Sequence, residues 1–158
     1  MDIAEQLQAL TDRIRAVEDH LAISQLLTRY SPAADSGDGA SAASLWTADG
    51  SYDAQVGRWS GTEAIAGLFD EPLHQGIMAQ GCGHILTPPH VRVDGDSAAA
   101  TNYGLLCIND GESFRVWRVT ACHWDLVRTA DGWKIHHRVN RVLNGEEAAR
   151  ALLHKAWD

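Results

Sequence analysis

Histidine is the residue type in this sequence best suited to chemistry near neutral pH, and the chain has eight histidines among its 158 residues. An imidazole can take a proton from one group and return it to another because its pKa lies close to physiological pH. The chain also has six tryptophans but only two phenylalanines, and bulky apolar side chains can form the walls of a pocket. These counts indicate acid–base chemistry in an apolar pocket without locating it.

Motifs for several other chemistries are missing. Cys82, Cys107 and Cys122 form no CxxC pair, so the sequence favours scattered buried thiols over a zinc site or a disulfide framework. His136 and His137 are adjacent, and adjacent strand residues face opposite ways, so they cannot chelate one metal simply. No P-loop, no GxGxxG after a strand and no nucleophile-elbow serine is found. We therefore predict neither a metal nor a cofactor.

The charge balance excludes polyanionic partners. The chain has 13 basic and 21 acidic residues and a formal charge of −8, whereas nucleic acids and anionic membranes attract basic surfaces. The first twenty residues carry acids within their apolar pattern and match neither a signal peptide nor a membrane span. We predict a cytoplasmic protein with a hydrophobic small-molecule partner and no nucleic-acid or membrane partner.

Helical spacing of apolar residues extends through the first thirty positions. The residues that carry it begin with Ile3, Leu7, Leu10, Ile14, Val17 and Leu21. Because thirty residues is long for one globular helix, we predict a helical extension over 1–15 that packs on a partner subunit, and a first domain helix over 16–31. Pro32 is expected to interrupt the pattern and to hold Ser31 in an extended conformation.

Shorter elements follow. Asp38 is a candidate cap for a short helix reaching Trp46. A further helix is expected from Thr62, its candidate cap, and Pro72 is expected to end or kink it. The predicted strands are 51–56 and 58–61, then four long ones at 84–93, 98–109, 113–129 and 133–143, with Asp-Gly turns between the long strands. A terminal helix is expected over 146–157.

Helices first and a meander of strands afterwards indicate an α+β fold. We predict one domain over 1–158 with its core at 16–145, in which a curved antiparallel sheet wraps around the early helices. Such a sheet leaves a cone-shaped pocket inside and apolar surface outside, so a homo-oligomer, either a dimer or a trimer, is expected.

Several short segments resemble, in their order and spacing, the SnoaL-like family of the nuclear transport factor two-like superfamily. They are 21–30 (LAISQLLTRY), 34–38 (ADSGD), 45–50 (LWTADG), 93–98 (VDGDSA) and 126–135 (LVRTADGWKI). The resemblance implies a cone-shaped α+β barrel around a hydrophobic cavity. Many members are cofactor-free acid–base enzymes (dehydratases, isomerases, cyclases), but others are binding or assembly modules, so the fold alone does not settle the function.

The resemblance also implies a set of catalytic residues. His84 stands where dehydratase members carry a general acid/base, and Asp35 stands where they carry its carboxylate partner. The two are 49 residues apart, so only tertiary structure can bring them together. Tyr30 matches a tyrosine that reaches the cavity and helps to polarise a carbonyl or to position water. The competing interpretations are a surface histidine, a turn-forming aspartate and a core tyrosine.

The predicted substrate-binding residues have weaker support. Strand alternation places His123, Asp125 and Val127 on one face and Cys122, Trp124 and Leu126 on the other, so His123 either faces the cavity or makes a cross-strand structural contact. Arg138 either meets an anionic substrate group or, as we favour, forms a surface salt bridge. The predicted set is Tyr52, Asn102, His123, Trp46, Phe69, Met78 and Trp117.

The sequence thus predicts a cofactor-independent lyase, and specifically a dehydratase of a hydrophobic cyclic or polycyclic molecule. An isomerase or a cyclase acting on a steroid-like or polyketide substrate needs nearly the same acid–base groups and stays open. Two further alternatives from another class are a non-catalytic ligand carrier or assembly domain, and the β subunit of a ring-hydroxylating oxygenase. The relative position of Asp35 and His84 separates the enzyme from the carrier most cheaply.

Overall fold

The computed structural model describes residues 2–157 and contains six α-helices within them. They are α1 (Ile3–Thr28), α2 (Tyr30–Ser36), α3 (Gly39–Ala43), α4 (Thr62–Gly67), α5 (Pro72–Gln80) and α6 (Glu147–His154), with one 3-10 turn at Leu68–Asp70. A capping box between Asp2 and Glu5 starts α1, which satisfies backbone N–H groups that the first turn leaves unpaired.

The first helix was predicted to end at residue 31, but α1 ends three residues earlier, at Thr28. The backbone turns at Arg29, and Ser31 and Pro32 lie within the first turn of α2. The expectation of an extended Ser31 was wrong because a proline is tolerated in a first helical turn, where its missing N–H has no intrahelical partner. Gly37, with φ of 69°, ends α2 in the left-handed conformation that glycine adopts without a steric cost.

The middle of the chain contains more helix than predicted. Asp38 caps α3 by accepting a hydrogen bond from the Ser41 amide, as expected, but α3 ends before Trp46, which opens a strand. Gly61 rather than Thr62 is the N-cap of α4. Pro72 is the first residue of α5 and does not end a helix. The sequence analysis missed α5, in which proline pre-sets the backbone of the first turn.

Seven strands form one sheet in the described part of the chain, in the order β2-β1-β7-β6-β5-β3, with β4 also paired to β5. They are β1 (Trp46–Ala54), β2 (Gly57–Ser60), β3 (Cys82–Leu86), β4 (His90–Asp94), β5 (Ser97–Asn109), β6 (Phe114–Thr129) and β7 (Gly132–Val142). The predicted α+β class is confirmed. The sheet is mixed rather than wholly antiparallel, because β1 runs parallel to β7, and it does not close into a barrel.

The segment predicted as one strand over 84–93 is two strands, β3 and β4. Thr87, Pro88 and Pro89 separate them, since a proline has no N–H to contribute to a ladder. The concave face of the sheet holds the main core together with α2, α3 and α4. On the convex face, α6 forms a smaller core in which Ala149 and Leu152 lie against Ala121.

Hydrogen bonds from Arg128 and Trp133 attach the C-terminal half of helix α1 to the sheet. The Asp19 carboxylate accepts hydrogen bonds from both Nη atoms of Arg128, at 2.7 and 2.8 Å, and from the Trp133 indole at 3.0 Å. Six apolar residues on its other side are exposed, namely Ile3, Leu7, Leu10, Ile14, Val17 and Leu21. The partner subunit expected there stays a prediction. Over residues 2–157 no helix has the length and apolarity needed to cross a membrane.

Candidate active site

Helix α2 and strand β3 bring Asp35 and His84 into direct contact. The distance between His84 Nδ1 and Asp35 Oδ1 is 2.6 Å, and the His84 backbone amide donates to both carboxylate oxygens, at 3.1 and 2.9 Å. The His84 side chain is 15% exposed and the Asp35 side chain is 28% exposed, so neither lies in bulk water. The carboxylate therefore fixes both the backbone and the ring of His84.

These contacts determine where the imidazole proton lies. A carboxylate only accepts hydrogen bonds, so His84 Nδ1 carries the hydrogen, and Nε2 has no hydrogen-bond partner among residues 2–157. Burial raises the pKa of Asp35, but the hydrogen bonds from the His84 ring and amide outweigh it and hold this pKa below its ordinary value. Asp35 is thus an ionised anchor, and Nε2 is free to exchange a proton.

Cys82 completes a cluster of three groups. Its thiol lies 3.7 Å from Asp35 Oδ1, and one ligand atom each from Asp35, Cys82 and His84 lie within 4.8 Å of one another. Burial and the nearby Asp35 charge raise the pKa of the Cys82 thiol to about 11, so the thiol stays protonated and donates to the carboxylate. A metal here would have to displace the short His84–Asp35 bond, and the geometry fits a hydrogen-bonded cluster better.

His84 opens onto a cavity of about 100 Å³ between the concave face of the sheet and helices α2 and α5. Apolar side chains line much of it, including Leu68, Leu86 and Leu106. Its mouth is lined by partly exposed apolar residues, namely Val56, Leu73, Ile85 and Trp117. The enclosed volume suits a small ring, and the apolar mouth can hold further ring atoms.

Tyr30 and Tyr52 both reach this cavity. The Tyr30 ring is perpendicular to the His84 ring, with 6.4 Å between the centroids. The Tyr52 hydroxyl accepts a hydrogen bond of 2.7 Å from the Asn140 amide, and burial raises the pKa of Tyr52 well above its ordinary value. The Tyr52 phenol therefore keeps its proton and can donate it in a hydrogen bond.

Arg138 is buried beside these rings, which corrects the surface salt bridge favoured above. It is 3% exposed, and its guanidinium carbon lies 4.1, 4.4 and 4.2 Å from the ring centroids of Tyr30, Tyr52 and Trp124. The strand register explains this position, because Arg138 of β7 pairs with Tyr52 of β1 on one side and Trp124 of β6 on the other. Two of its nitrogens, Nε and Nη1, are buried without a hydrogen-bond partner among residues 2–157.

His74 is a cavity residue that the sequence analysis missed. It is 8% exposed, its Nε2 bonds the Ala34 carbonyl at 2.9 Å, and its ring stacks on His84 with 5.8 Å between the centroids. Burial, and secondarily the nearby His84, lower the pKa of His74. A positive charge on His74 is thereby disfavoured. Helix α5, which carries His74, was not predicted, so His74 could not be assigned to the cavity.

The predicted wall residues divide into two groups. Tyr52 and Trp117 line the cavity. Trp46 and Phe69 lie behind it in the core, 6.0 and 6.3 Å from Tyr30 between centroids, and Met78 packs over Gly37. These three are not among the residues that line the cavity, so they support its walls from behind.

His123 and Asn102 do not line the cavity either. The predicted alternation along β6 holds, and it places His123 on the convex face of the sheet, where it contacts Thr101 at 3.2 Å and Asp125 at 3.2 Å. Of the two interpretations of His123, the cavity-facing one was wrong, because the helices that close the cavity cover the other face. The cross-strand structural contact, with Thr101 of β5, is the one observed. Asn102 accepts a hydrogen bond from the Trp124 indole at 3.0 Å and donates to the Thr87 carbonyl, which orients Trp124.

Comparison with known proteins agrees with this architecture. Residues 15–139 match the family model described as a SnoaL-like domain. No curated protein matches the sequence significantly.

Solved structures provide a closer comparison. An NTF2-like protein with a cystatin-like fold from Novosphingobium aromaticivorans is 40% identical, with a TM-score of 0.90 over 93% of this chain and 96% of that chain. Rv3472, a protein of unknown function from Mycobacterium tuberculosis, is 20% identical, with a TM-score of 0.70 over 87% of this chain and 91% of its own. ActVI-ORFA from Streptomyces coelicolor is 20% identical, with a TM-score of 0.68 over 78% of this chain and 96% of that chain. The last two matches bear on the fold alone.

Proposed function

We propose, from the premise that the chain belongs to the SnoaL-like domain family, that it is an acid–base lyase that needs no cofactor. Its substrate is a hydrophobic cyclic ketone with a hydroxyl group on the carbon β to the carbonyl, and its reaction is the loss of water. The observation that carries the proposal is the free Nε2 of His84 in an apolar cavity, with Nδ1 held by Asp35.

The reaction requires one base that becomes an acid. His84 Nε2 takes the proton from the carbon between the carbonyl and the hydroxyl-bearing carbon, and the electron pair of that C–H bond forms an enolate. The enolate then expels the β-hydroxyl as the C–O bond breaks, and His84 returns the proton to the departing oxygen to give water. Asp35 supports both proton transfers, because its charge stabilises the imidazolium that exists between the first transfer and the second.

In this proposal Tyr30 acts on the carbonyl. Its ring lies at the cavity wall beside His84, and a phenol can donate a hydrogen bond to a carbonyl oxygen while its ring contacts an apolar ligand. Such a bond strengthens as charge develops on the oxygen, so it favours the enolate over the ketone. Tyr52, which also lines the cavity, or a water molecule can assist.

The proposal can be tested with 3-hydroxy-1-tetralone, a bicyclic β-hydroxyketone that loses water to give fluorescent 1-naphthol. We expect naphthol formation by the wild-type protein and a large loss of it in His84→Ala, with the fold checked by circular dichroism. A thermal-shift screen of steroids, aromatic polyketides and other cyclic ketones widens the search, since a bound ligand raises the melting temperature. Ligands that bind without any turnover, or undiminished turnover in His84→Ala, would overturn the lyase assignment, and binding alone would favour a carrier.

Isomerase and cyclase activities start from the same proton abstraction. They share the roles of His84 and Asp35 and differ only in where the proton or the new carbon–carbon bond goes. Product analysis of each hit in the screen distinguishes these reactions from dehydration.

A further inference from the structure

Arg138 carries a charge that the proposed reaction does not use. It is a cation with 3% exposure, and its guanidinium has no ion pair within residues 2–157: its electrostatic neighbours are Tyr52, Tyr30 and Cys122. Burying a charge without a counter-charge is strongly unfavourable, even when aromatic faces offset part of the lost hydration. Such a residue is expected to have a partner in its working state.

The position of Arg138 limits what that partner can be. Arg138 lines the same cavity as His84 and Tyr30. The Tyr30 side chain is a hydrogen-bonding neighbour of its guanidinium, but Nε and Nη1 have no hydrogen-bond partner among residues 2–157. Because Arg138 borders the cavity, the cavity is the side from which an acceptor carried by a ligand can approach the guanidinium.

We infer that the substrate is an organic acid whose carboxylate binds Arg138 while its ring fills the apolar part of the cavity. A carboxylate supplies the missing charge and two acceptor oxygens of the geometry that a guanidinium prefers. This inference rests on the proposed function, which it narrows from cyclic ketones to cyclic keto acids. The Tyr30 ring lies beside both Arg138 and His84, so a ligand anchored at Arg138 shares the cavity that His84 lines.

Matched ligands test this inference at equilibrium, without turnover. We use 2-naphthoate and its uncharged counterpart 2-naphthamide, and measure both affinities by isothermal titration calorimetry. The naphthoate is expected to bind at least about tenfold more tightly, which is the effect of one charge-assisted hydrogen bond. Equal affinities, or tighter binding of the amide, would overturn the inference.

Variants assign the preference to one cation. Arg118 also lines the cavity and lies over the Trp117 ring, so Arg118→Gln is the matched control. Arg138→Met should abolish the preference for naphthoate, Arg138→Lys should retain part of it, and Arg118→Gln should keep it. Arg138→Met is expected to fold because an apolar side chain relieves the buried charge. A preference that survives in Arg138→Met but not in Arg118→Gln would contradict the inference.

The binding test and the reaction test fail independently. His84→Ala should keep the naphthoate preference, since binding to Arg138 needs no base. If the protein binds acids through Arg138 but dehydrates no β-hydroxyketone, with or without a carboxylate, the anion-binding site is supported and the lyase proposal is contradicted.

A second inference rests on the exposed side of α1. Its six apolar residues are 50–76% exposed and alternate at spacings of four and three, which is the seam of a coiled coil. They are Ile3, Leu7, Leu10, Ile14, Val17 and Leu21. The opposite side of the helix, with Asp19, Ile23 and Leu26, is buried in the domain, so a second helix can reach the seam without meeting the domain.

We propose that this seam pairs in parallel with the same seam of a second copy of the chain. The charges flanking the seam favour this arrangement. In a parallel pair, Arg13 lies next to Glu18 of the other copy, five residues further on, and symmetry repeats that contact. In an antiparallel pair centred on the seam, residues that flank the same side of the seam face each other across the two helices. Arg13 of one copy would then approach Arg13 of the other.

Size-exclusion chromatography with light scattering measures the expected dimer. Leu10→Glu/Ile14→Glu should give a monomer, and Ala9→Glu, on the other side of the helix, should stay dimeric. Arg13→Glu should weaken the dimer, and adding Glu18→Arg should restore it only in the parallel arrangement. A monomeric wild type, a larger assembly, a dimer that survives Leu10→Glu/Ile14→Glu, or no rescue by the charge swap would overturn the proposal.

Discussion

The molecule contains two histidine–aspartate pairs on opposite faces of one sheet. His84 and Asp35 are 2.6 Å apart at the concave face, whereas His123 and Asp125 are 3.2 Å apart at the convex face. The His84 pair joins a helix to a strand, and the His123 pair lies within β6. The same two residue types thus occur in two very different environments.

The free nitrogen separates the two pairs. His123 uses both ring nitrogens, one toward Thr101 and one toward Asp125, so it has no nitrogen left for a ligand. His84 uses only Nδ1, and its Nε2 opens onto a cavity. A histidine–aspartate contact is therefore a candidate for catalysis only when the second nitrogen is free and accessible, and the four predictions below test this comparison.

The largest expected effect is on turnover. His84→Ala should lower kcat on an accepted β-hydroxyketone by about 10²–10⁴-fold, the usual contribution of a general acid–base group. His123→Ala should change kcat by less than about threefold, because it removes no group that a cavity ligand can reach. Steady-state kinetics of both variants checks this, and equal losses in the two variants would remove the distinction.

Substituting the two carboxylates should affect kcat in the same order as substituting the two histidines. Asp35→Asn should lower kcat by about 10²-fold or more, since an amide cannot stabilise the imidazolium and can hold the ring in the wrong tautomer. Asp125→Asn is the matched control and should leave kcat nearly unchanged. The comparison fails if Asp35→Asn retains most of the wild-type rate while Asp125→Asn does not.

Stability should show the opposite ranking. His123→Ala removes a buried ring and leaves the Thr101 hydroxyl without its partner, so the free energy of unfolding should fall by about 1–3 kcal/mol. His84→Ala should cost less, because the His84 ring already borders open space. Urea denaturation of the two variants measures this, and a larger loss for His84→Ala would show that His84 is mainly structural.

Acid unfolding gives the smallest effect. Hydrogen bonds from His84 lower the pKa of Asp35 against the opposing effect of burial, and those from His123 lower the pKa of Asp125. Each folded carboxyl group binds its proton less readily than in the unfolded chain, so its stabilisation is present above pH 3.8 and is lost as the pH falls below that value. Melting temperatures between pH 5 and pH 2 should fall less steeply in Asp35→Asn than in the wild type.

The exposure of Asp125 predicts a weaker change in the control. Its side chain is 48% exposed, and water screens the contact with His123. Asp125→Asn should therefore keep almost the whole acid dependence of the wild type. An equal change in both variants would mean that burial does not distinguish the two pairs.

Much of the fold was predictable from local patterns. The Asp38 cap, the Asp-Gly turns and the two-residue alternation along β6 all depend on neighbours in the sequence, and each was placed correctly. The parallel pairing of β1 with β7 and the split of 84–93 into two strands were not. Parallel pairing joins distant segments, and its register leaves no short-range signal.

The site was predictable only in part. The resemblance indicated Asp35, His84 and Tyr30, and the structure brings them together, while their catalytic roles stay predictions. His74 was missed together with α5. Alternation separated His123 from Trp124 but could not decide which of the two faces the cavity, because that depends on where the helices pack.

The sequence by itself determined the α+β class, the faces of the long strands and the residue types available for acid–base chemistry, because these follow from local spacing. Only the tertiary structure decided that Arg138 is buried among Tyr30, Tyr52 and Trp124 rather than exposed. Four elements, α2, β1, β6 and β7, meet at that point. The environment of a charge depends on all the groups around it in space, and no window along the chain contains them.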